Sequence, residues 1–134
     1  MISYSREVFY YETDKMGIVH HSNYVRYLEE ARIHAMDFLG YNFKSIEDTG
    51  LVSPVVSVSV RYIHPLRFGD TFEVRVFAGR ISAAQFGMEY EIWCDDVLCA
   101  KGESSHCFTG EGGRPVNIRK RLGGFVDALR EHKK

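Results

Sequence analysis

Alternation and helical spacing divide the chain into regular elements. Phe72, Val74, Val76 and Ala78 alternate with Thr71, Glu73, Arg75 and Phe77, while Phe86, Met88, Tyr90 and Ile92 alternate with Gly87, Glu89, Glu91 and Trp93. A period of two marks a strand with one buried face, so half-buried antiparallel strands are expected at Thr71–Ile81 and Gln85–Cys94. Two further β-like runs, Val52–Ile63 and Val97–Thr109, lie on either side, and Asp95-Asp96 is a tight hairpin candidate. The opening segment Ile2–Tyr11, rich in β-branched and aromatic residues, reads as a strand that Glu12-Thr13-Asp14-Lys15-Met16-Gly17 ends.

From Tyr24 the period changes. Tyr24, Tyr27, Leu28, Ala31, Ala35, Phe38 and Leu39 recur at helical spacing, with Tyr24, Tyr27, Leu28 and Phe38 facing inward. Gly40 fits the position just past the helix end, and Ser22 or Asn23 fits its cap. Arg26, Glu29, Glu30 and Asp37 form a solvated face. The C-terminal segment Asn117–Lys134 is expected to be helical around Leu122, Phe125, Val126 and Leu129. A strand, a long helix, four strands and a terminal helix make an α+β architecture in which the helix lies against one sheet face.

Composition narrows the picture. The 134 residues, 45% hydrophobic and 26% charged, predict one globular domain over 1–134. A formal net charge of -1 gives no whole-chain electrostatic case for nucleic acid. That figure hides an asymmetry: residues 1–113 carry 10 basic and 16 acidic groups, whereas 114–134 carry 7 and 2. Arg114, Arg119, Lys120 and Arg121 head this basic tail. Cys94, Cys99 and Cys107 have no CxxC spacing, so neither a disulfide framework nor a zinc site is expected. No apolar run approaches the ~20 residues of a membrane span, and the N-terminus has no signal-peptide pattern, so a cytoplasmic protein is expected.

The chemistry concentrates in Tyr10–Tyr24. Here an acid, a glycine turn and two histidines stand immediately before a helix N-terminus, whose free amides and positive dipole end suit a carboxylate, a phosphate or the developing oxyanion of an acyl transfer. Asp14, seven residues before His21, can face those amides across the loop. There is no GxSxG elbow for a serine hydrolase, and no HExxH or His-x-His for a metal. No metal and no cofactor are expected.

This stretch, continued by Tyr24-Val25-Arg26-Tyr27-Leu28-Glu29-Glu30-Ala31-Arg32, resembles the hotdog-fold acyl-CoA thioesterases of the 4-hydroxybenzoyl-CoA thioesterase family, including the Tol-Pal-operon type. Glu12-Thr13-Asp14, Gly17-Ile18-Val19, His21 and Asn23-Tyr24 fill the family pattern, with Glu12 where Asp is commoner and Lys15-Met16 bulkier than the usual pair. Val60–Asp70, in which a strand ends at Pro65 and Gly69-Asp70 turns into the next, adds support. The resemblance implies a long helix wrapped by a curved antiparallel sheet, and hydrolysis of an acyl-CoA to a free acid and CoA. Asp14 matches the catalytic carboxylate, acting as nucleophile or general base. The backbone N–H at His21 matches the donor that polarises the carbonyl, and Gly17 permits the close turn. Val19, Asn23 and Tyr24 are expected at the substrate, and Arg61 and Arg80 at the CoA phosphates. A homodimer or homotetramer is implied. An acyl carrier protein thioester is an alternative substrate, and a non-catalytic acyl-thioester-binding module an alternative function.

Overall fold

The computed structural model describes residues 1–134. Its elements are β1 (Ile2–Glu7), α1 (Ser22–Phe38), α2 (Phe43–Asp48), β2 (Val55–Tyr62), β3 (Thr71–Ile81), β4 (Phe86–Cys94), β5 (Val97–His106), α3 (Ile118–Arg121) and α4 (Gly123–Arg130). The strands form one antiparallel sheet in the order β1-β3-β4-β5-β2. Alternation places Phe72, Val74, Val76 and Ala78 of β3 and Phe86, Met88, Tyr90 and Ile92 of β4 on the inner face, each almost fully buried. Asp95, with φ of 52°, turns the β4–β5 hairpin between paired Cys94 and Val97.

Helix α1 lies across that inner face, burying Tyr24, Tyr27, Leu28, Ala31 and Ala35. It approaches β5 so closely that a Cβ at Gly102 would stand 2.8 Å from Leu28 Cδ1, which is why glycine occupies that strand position. Gly40, with φ of 86°, donates to Asp37 O while Tyr41 donates to Met36 O, the paired bonds that close a helix in the left-handed conformation. Helix α4 completes the core, setting Phe125 against Phe86 and Phe108 at 5.1 and 5.7 Å between ring centroids.

Several expectations are corrected. The first strand ends at Glu7 rather than Tyr11, because the Glu12 carboxylate accepts from Phe9 N–H at 2.8 Å and draws Tyr10–Glu12 into a 3₁₀ turn. Neither Ser22 nor Asn23 caps α1: His21 takes the cap position, Ser22 Oγ pairs with His20 Nδ1, and Asn23 Nδ2 donates to Glu12 O. Phe38 is 64% exposed, touched edge-on by His132. Glu30 is half-buried, bound by Arg6 and Tyr4. The C-terminal helix is broken at Leu122. The second β run is regular only over Val55–Tyr62 and, as an edge strand, leaves Val55, Val56, Val58 and Tyr62 exposed.

The inner face carries one polar row. The Tyr90 and Ser104 hydroxyls share a hydrogen bond of 2.7 Å, and Ser104 Oγ lies 2.7 Å from His106 Nε2. His106 is fully buried, and burial, reinforced by the Arg32 charge, pushes its pKa down to about 3.

Candidate active site

Residues 13–19 fold back on themselves as a short hairpin between β1 and α1. Thr13 bridges Val19, Asp14 N–H donates to Ile18 O at 2.9 Å, and Gly17 N–H donates to Asp14 O at 2.9 Å. Gly17 has φ of 77°, a left-handed position that side chains resist, so glycine sets the turn. The Asp14 carboxylate accepts from Met16 N–H at 2.8 Å, which fixes its orientation while leaving its other oxygen unengaged.

Glu12 anchors this hairpin. Only 4% exposed, its Oε1 accepts from Arg6 Nη2 at 2.6 Å, Phe9 N–H at 2.8 Å and Tyr27 O–H at 3.0 Å. Its carbonyl accepts from His20 N–H at 2.8 Å and Asn23 Nδ2 at 2.9 Å, joining the loop to the start of α1. Arg6 reaches on to both oxygens of Glu30 in α1, and these two carboxylates raise its pKa against the opposing effect of burial. Burial, with Glu12 close by, holds Tyr27 well above the ordinary phenol range. Replacing Glu12 by Ala removes three partners at once but leaves Arg6 its Glu30. The expected cost is about 2 kcal/mol, read as a fall in Tm of roughly 8 °C in thermal denaturation.

Asp14, Val19, His21 and Tyr24 share one cavity of about 260 Å³ with the end of β2 and the residues after it, notably Tyr62 and His64. Tyr62 O–H donates to His21 O at 3.1 Å and stands edge-on to the Tyr24 ring at 4.9 Å, while Tyr24 Oη accepts from Leu66 N–H at 3.4 Å. Burial pushes Tyr24 up to about 12, so it remains a neutral phenol. The backbone N–H of His21, at the mouth of α1, donates to no protein atom, whereas Asn23 and Tyr24 N–H turn back to His20 and His21 carbonyls. The residues lining the cavity thus include one oriented carboxylate, one residue whose helix-terminal N–H is unpaired, and several apolar side chains.

Not every candidate residue meets there. Asn23 is buried in the loop's support, and Gly17 shapes the turn. Arg61 lines a surface groove with Glu89, Lys101 and Lys134; Arg80 lines another with Ser57, Ser59, Gly79 and Gly87. Neither arginine reaches the Asp14 cavity within one chain. Tyr62 and His64 form a wall that motif and spacing did not assign; the strand-end pattern Val60–Asp70 was the signal that pointed toward them. No group of three or more His, Cys, Asp and Glu is placed to hold a metal ion, and no helix is long and apolar enough to cross a membrane.

A curved sheet around one long helix, with an acid-bearing loop at the helix N-terminus, defines a hotdog-fold thioester hydrolase. The chain belongs to the thioesterase-like superfamily, whose family model matches residues 8–126. Among its relatives is a Bacillus subtilis protein named "Putative acyl-CoA thioesterase YneP", 34% identical over 130 residues, spanning 96% of this chain and 94% of the relative. A 1,4-dihydroxy-2-naphthoyl-CoA hydrolase of Thermosynechococcus vestitus is 29% identical over 91 residues, spanning 67% and 62%. The crystal structure of a hypothetical protein from Aquifex aeolicus superposes with a TM-score of 0.87 at 35% identity, covering 95% of this chain and 98% of that one.

Proposed function

We propose that residues 1–134 form one hotdog domain that hydrolyses acyl-CoA thioesters with Asp14 as its reactive carboxylate. The observation that carries this reading is one cavity lined by both Asp14 and His21, whose backbone N–H has no protein acceptor, beside apolar walls. A thioester carbonyl seated there accepts from His21 N–H, and such a preorganised donor contributes ~3 kcal/mol to the transition state. Two routes fit. Asp14 takes a proton from a water whose oxygen attacks the carbonyl carbon, or Asp14 itself attacks, giving an anhydride that water then opens. In both, the carbon–sulfur bond breaks and CoA leaves as a thiol with the proton released by water. His21, its imidazole tilted against that of His20 with ring centroids 4.2 Å apart, lines the same cavity.

Val19 and Tyr24 shape the acyl wall, Asn23 holds the loop to the helix, and Arg61 and Arg80 serve the CoA phosphates across a subunit boundary. The exposed apolar edge of β2 supports a homodimer, or a homotetramer built from it. Placement in the 4-hydroxybenzoyl-CoA family proper, of the Tol-Pal-operon type, rests on the loop motif; a cytoplasmic location accords with its three unpaired cysteines. A second reading, hydrolysis of acyl carrier protein thioesters, is favoured by the exposed Arg119, Lys120 and Arg121 of α3, because carrier proteins are acidic.

Thiol release measured across aromatic, short-chain and long-chain acyl-CoAs tests the proposal. Turnover above background on at least one class is expected, with the named relatives directing attention to hydroxyaryl thioesters. Flat background on all three would leave a binding module as the better account.

A further inference from the structure

At the mouth of α1 one backbone group is left free while its neighbours are pinned. The helix begins beside His21, whose φ of -53° and ψ of -32° are already helical and which caps it with no side-chain bond. The peptide joining His20 to His21 sends its carbonyl to Asn23 N–H at 2.9 Å. In a trans peptide the N–H points the opposite way, so His21 N–H faces out of the helix end. The next peptide is held on both sides. Ser22 N–H donates to His20 Nδ1 at 3.3 Å, and His21 O accepts from Tyr24 N–H at 3.2 Å and from Tyr62 O–H at 3.1 Å. Of these partners only Tyr62 comes from outside residues 20–24.

Tyr62 is fixed in turn by the sheet. It closes β2 opposite Ala100 of β5, and the next two amides, Ile63 and His64 N–H, both donate to Cys99 O, at 2.9 and 3.0 Å. Further on, Leu66 O accepts from Val19 N–H at 2.8 Å and Arg67 bridges Ile18, which ties the Asp14 hairpin to the same stretch of chain. Residues 62–67 are thus one frame for two groups, the hairpin that carries the carboxylate and the helix end that carries the free amide. The Tyr62 side chain is exposed, and its edge-on contacts with the Tyr24 and His21 rings, at 4.9 and 6.4 Å, are ones a phenylalanine makes equally well. What its hydroxyl adds is a single bond, to the His21 carbonyl. We propose that Tyr62 is a positioning residue for thioester hydrolysis, its hydroxyl holding the first carbonyl of α1 so that His21 N–H keeps its aim at the substrate carbonyl as charge develops on that oxygen. This rests on the role proposed above for His21 N–H and extends it to β2. Tyr62 acts through the His21 backbone, and the loss of its bond leaves the helix mouth referenced to the sheet only through the hairpin.

Tyr62→Phe keeps the ring and removes the bond. Thiol release on the best acyl-CoA is expected to show kcat lower by about tenfold with KM within about twofold, because a misaimed donor costs more in the transition state than in the ground state. The Tm should stay near that of the wild type, since the side chain is exposed. A second arm needs no turnover: backbone NMR of the full chain titrated with the carba analogue of benzoyl-CoA, in which a methylene replaces the thioester sulfur. The His21 N–H resonance is expected to shift in the wild type, and less than half as far at saturation in Tyr62→Phe. Unchanged kcat in the variant, a rise in KM alone, a collapse in Tm, or equal His21 shifts in both chains would each overturn the assignment, as would no His21 shift in the wild type. A wild-type chain that shows the His21 shift but releases no thiol from any acyl-CoA rejects the hydrolase reading and leaves the aim of His21 N–H by Tyr62 standing.

Discussion

Asp14→Asn is expected to lower kcat for thioester hydrolysis by at least about a hundredfold while leaving the Tm unchanged. The substitution separates two roles of one side chain. Met16 N–H donates to Asp14 Oδ1, and an asparagine oxygen accepts that bond equally well, so the hairpin of residues 13–19 survives. What disappears is the negative charge needed to attack the carbonyl or to take a proton from water, and general acid–base catalysis of this kind is worth about 10² to 10⁴ in rate. Asp14→Ala removes both roles, so it should lose turnover and also loosen the loop. Steady-state thiol release with parallel thermal denaturation checks the pair. Near-wild-type turnover in Asp14→Asn would reduce Asp14 to a turn residue.

Acid should unfold this chain through His106. Its imidazole is neutral in the fold, with a pKa of about 3, and protonates near 6.5 once unfolded. Between these values the unfolded state binds the extra proton. Stability is therefore fully present above pH 6.5 and is lost as the pH falls toward 3. At about 1.4 kcal/mol per pH unit, this one group accounts for a loss of about 3 kcal/mol by pH 4. The groups around it are Arg32, whose positive charge opposes a second, and the Tyr90 and Ser104 hydroxyls, which carry none. His106→Leu keeps the Tyr90–Ser104 bond, so urea unfolding at pH 7 and pH 4 should show a smaller loss in the variant than in the wild type. Parallel losses in both would remove His106 from the account.

Local signals were legible where one surface decided the pattern. β3 and β4 are covered by helix on one face only, so their period of two passes directly into burial, and Gly40 ends α1 where helix termination requires a left-handed residue. Long-range partners were not legible. Glu30 sits on the polar side of α1 by spacing, yet Arg6, 24 residues earlier, draws it into a half-buried pair. Arg32 closes the recognised Tyr24–Arg32 motif, but nothing in that motif shows that its guanidinium turns inward toward His106. The loop half of the site was visible because Asp14, Gly17 and His21 lie within eight residues. Its other wall, Tyr62 and His64, arrives from about forty residues away through the β2–β5 pairing. The β2 run carries the alternation of a one-faced strand, Val56, Val58, Val60 and Tyr62 against Ser57, Ser59 and Arg61, yet at the sheet edge only Val60 of that row is partly covered within one chain, so here the pattern does not pass into burial.

Glu12 has a consequence for anyone altering this chain. One residue both joins β1 to α1 through its carboxylate and, through its backbone carbonyl, ties the Asp14 hairpin to the helix mouth. Rigidity and reactivity are thus written into the same residue, and a change that relaxes one displaces the other. Stabilising substitutions belong far from it, on the exposed faces of α4 or at the broken turn around Leu122, where the backbone can be stiffened without moving the acid.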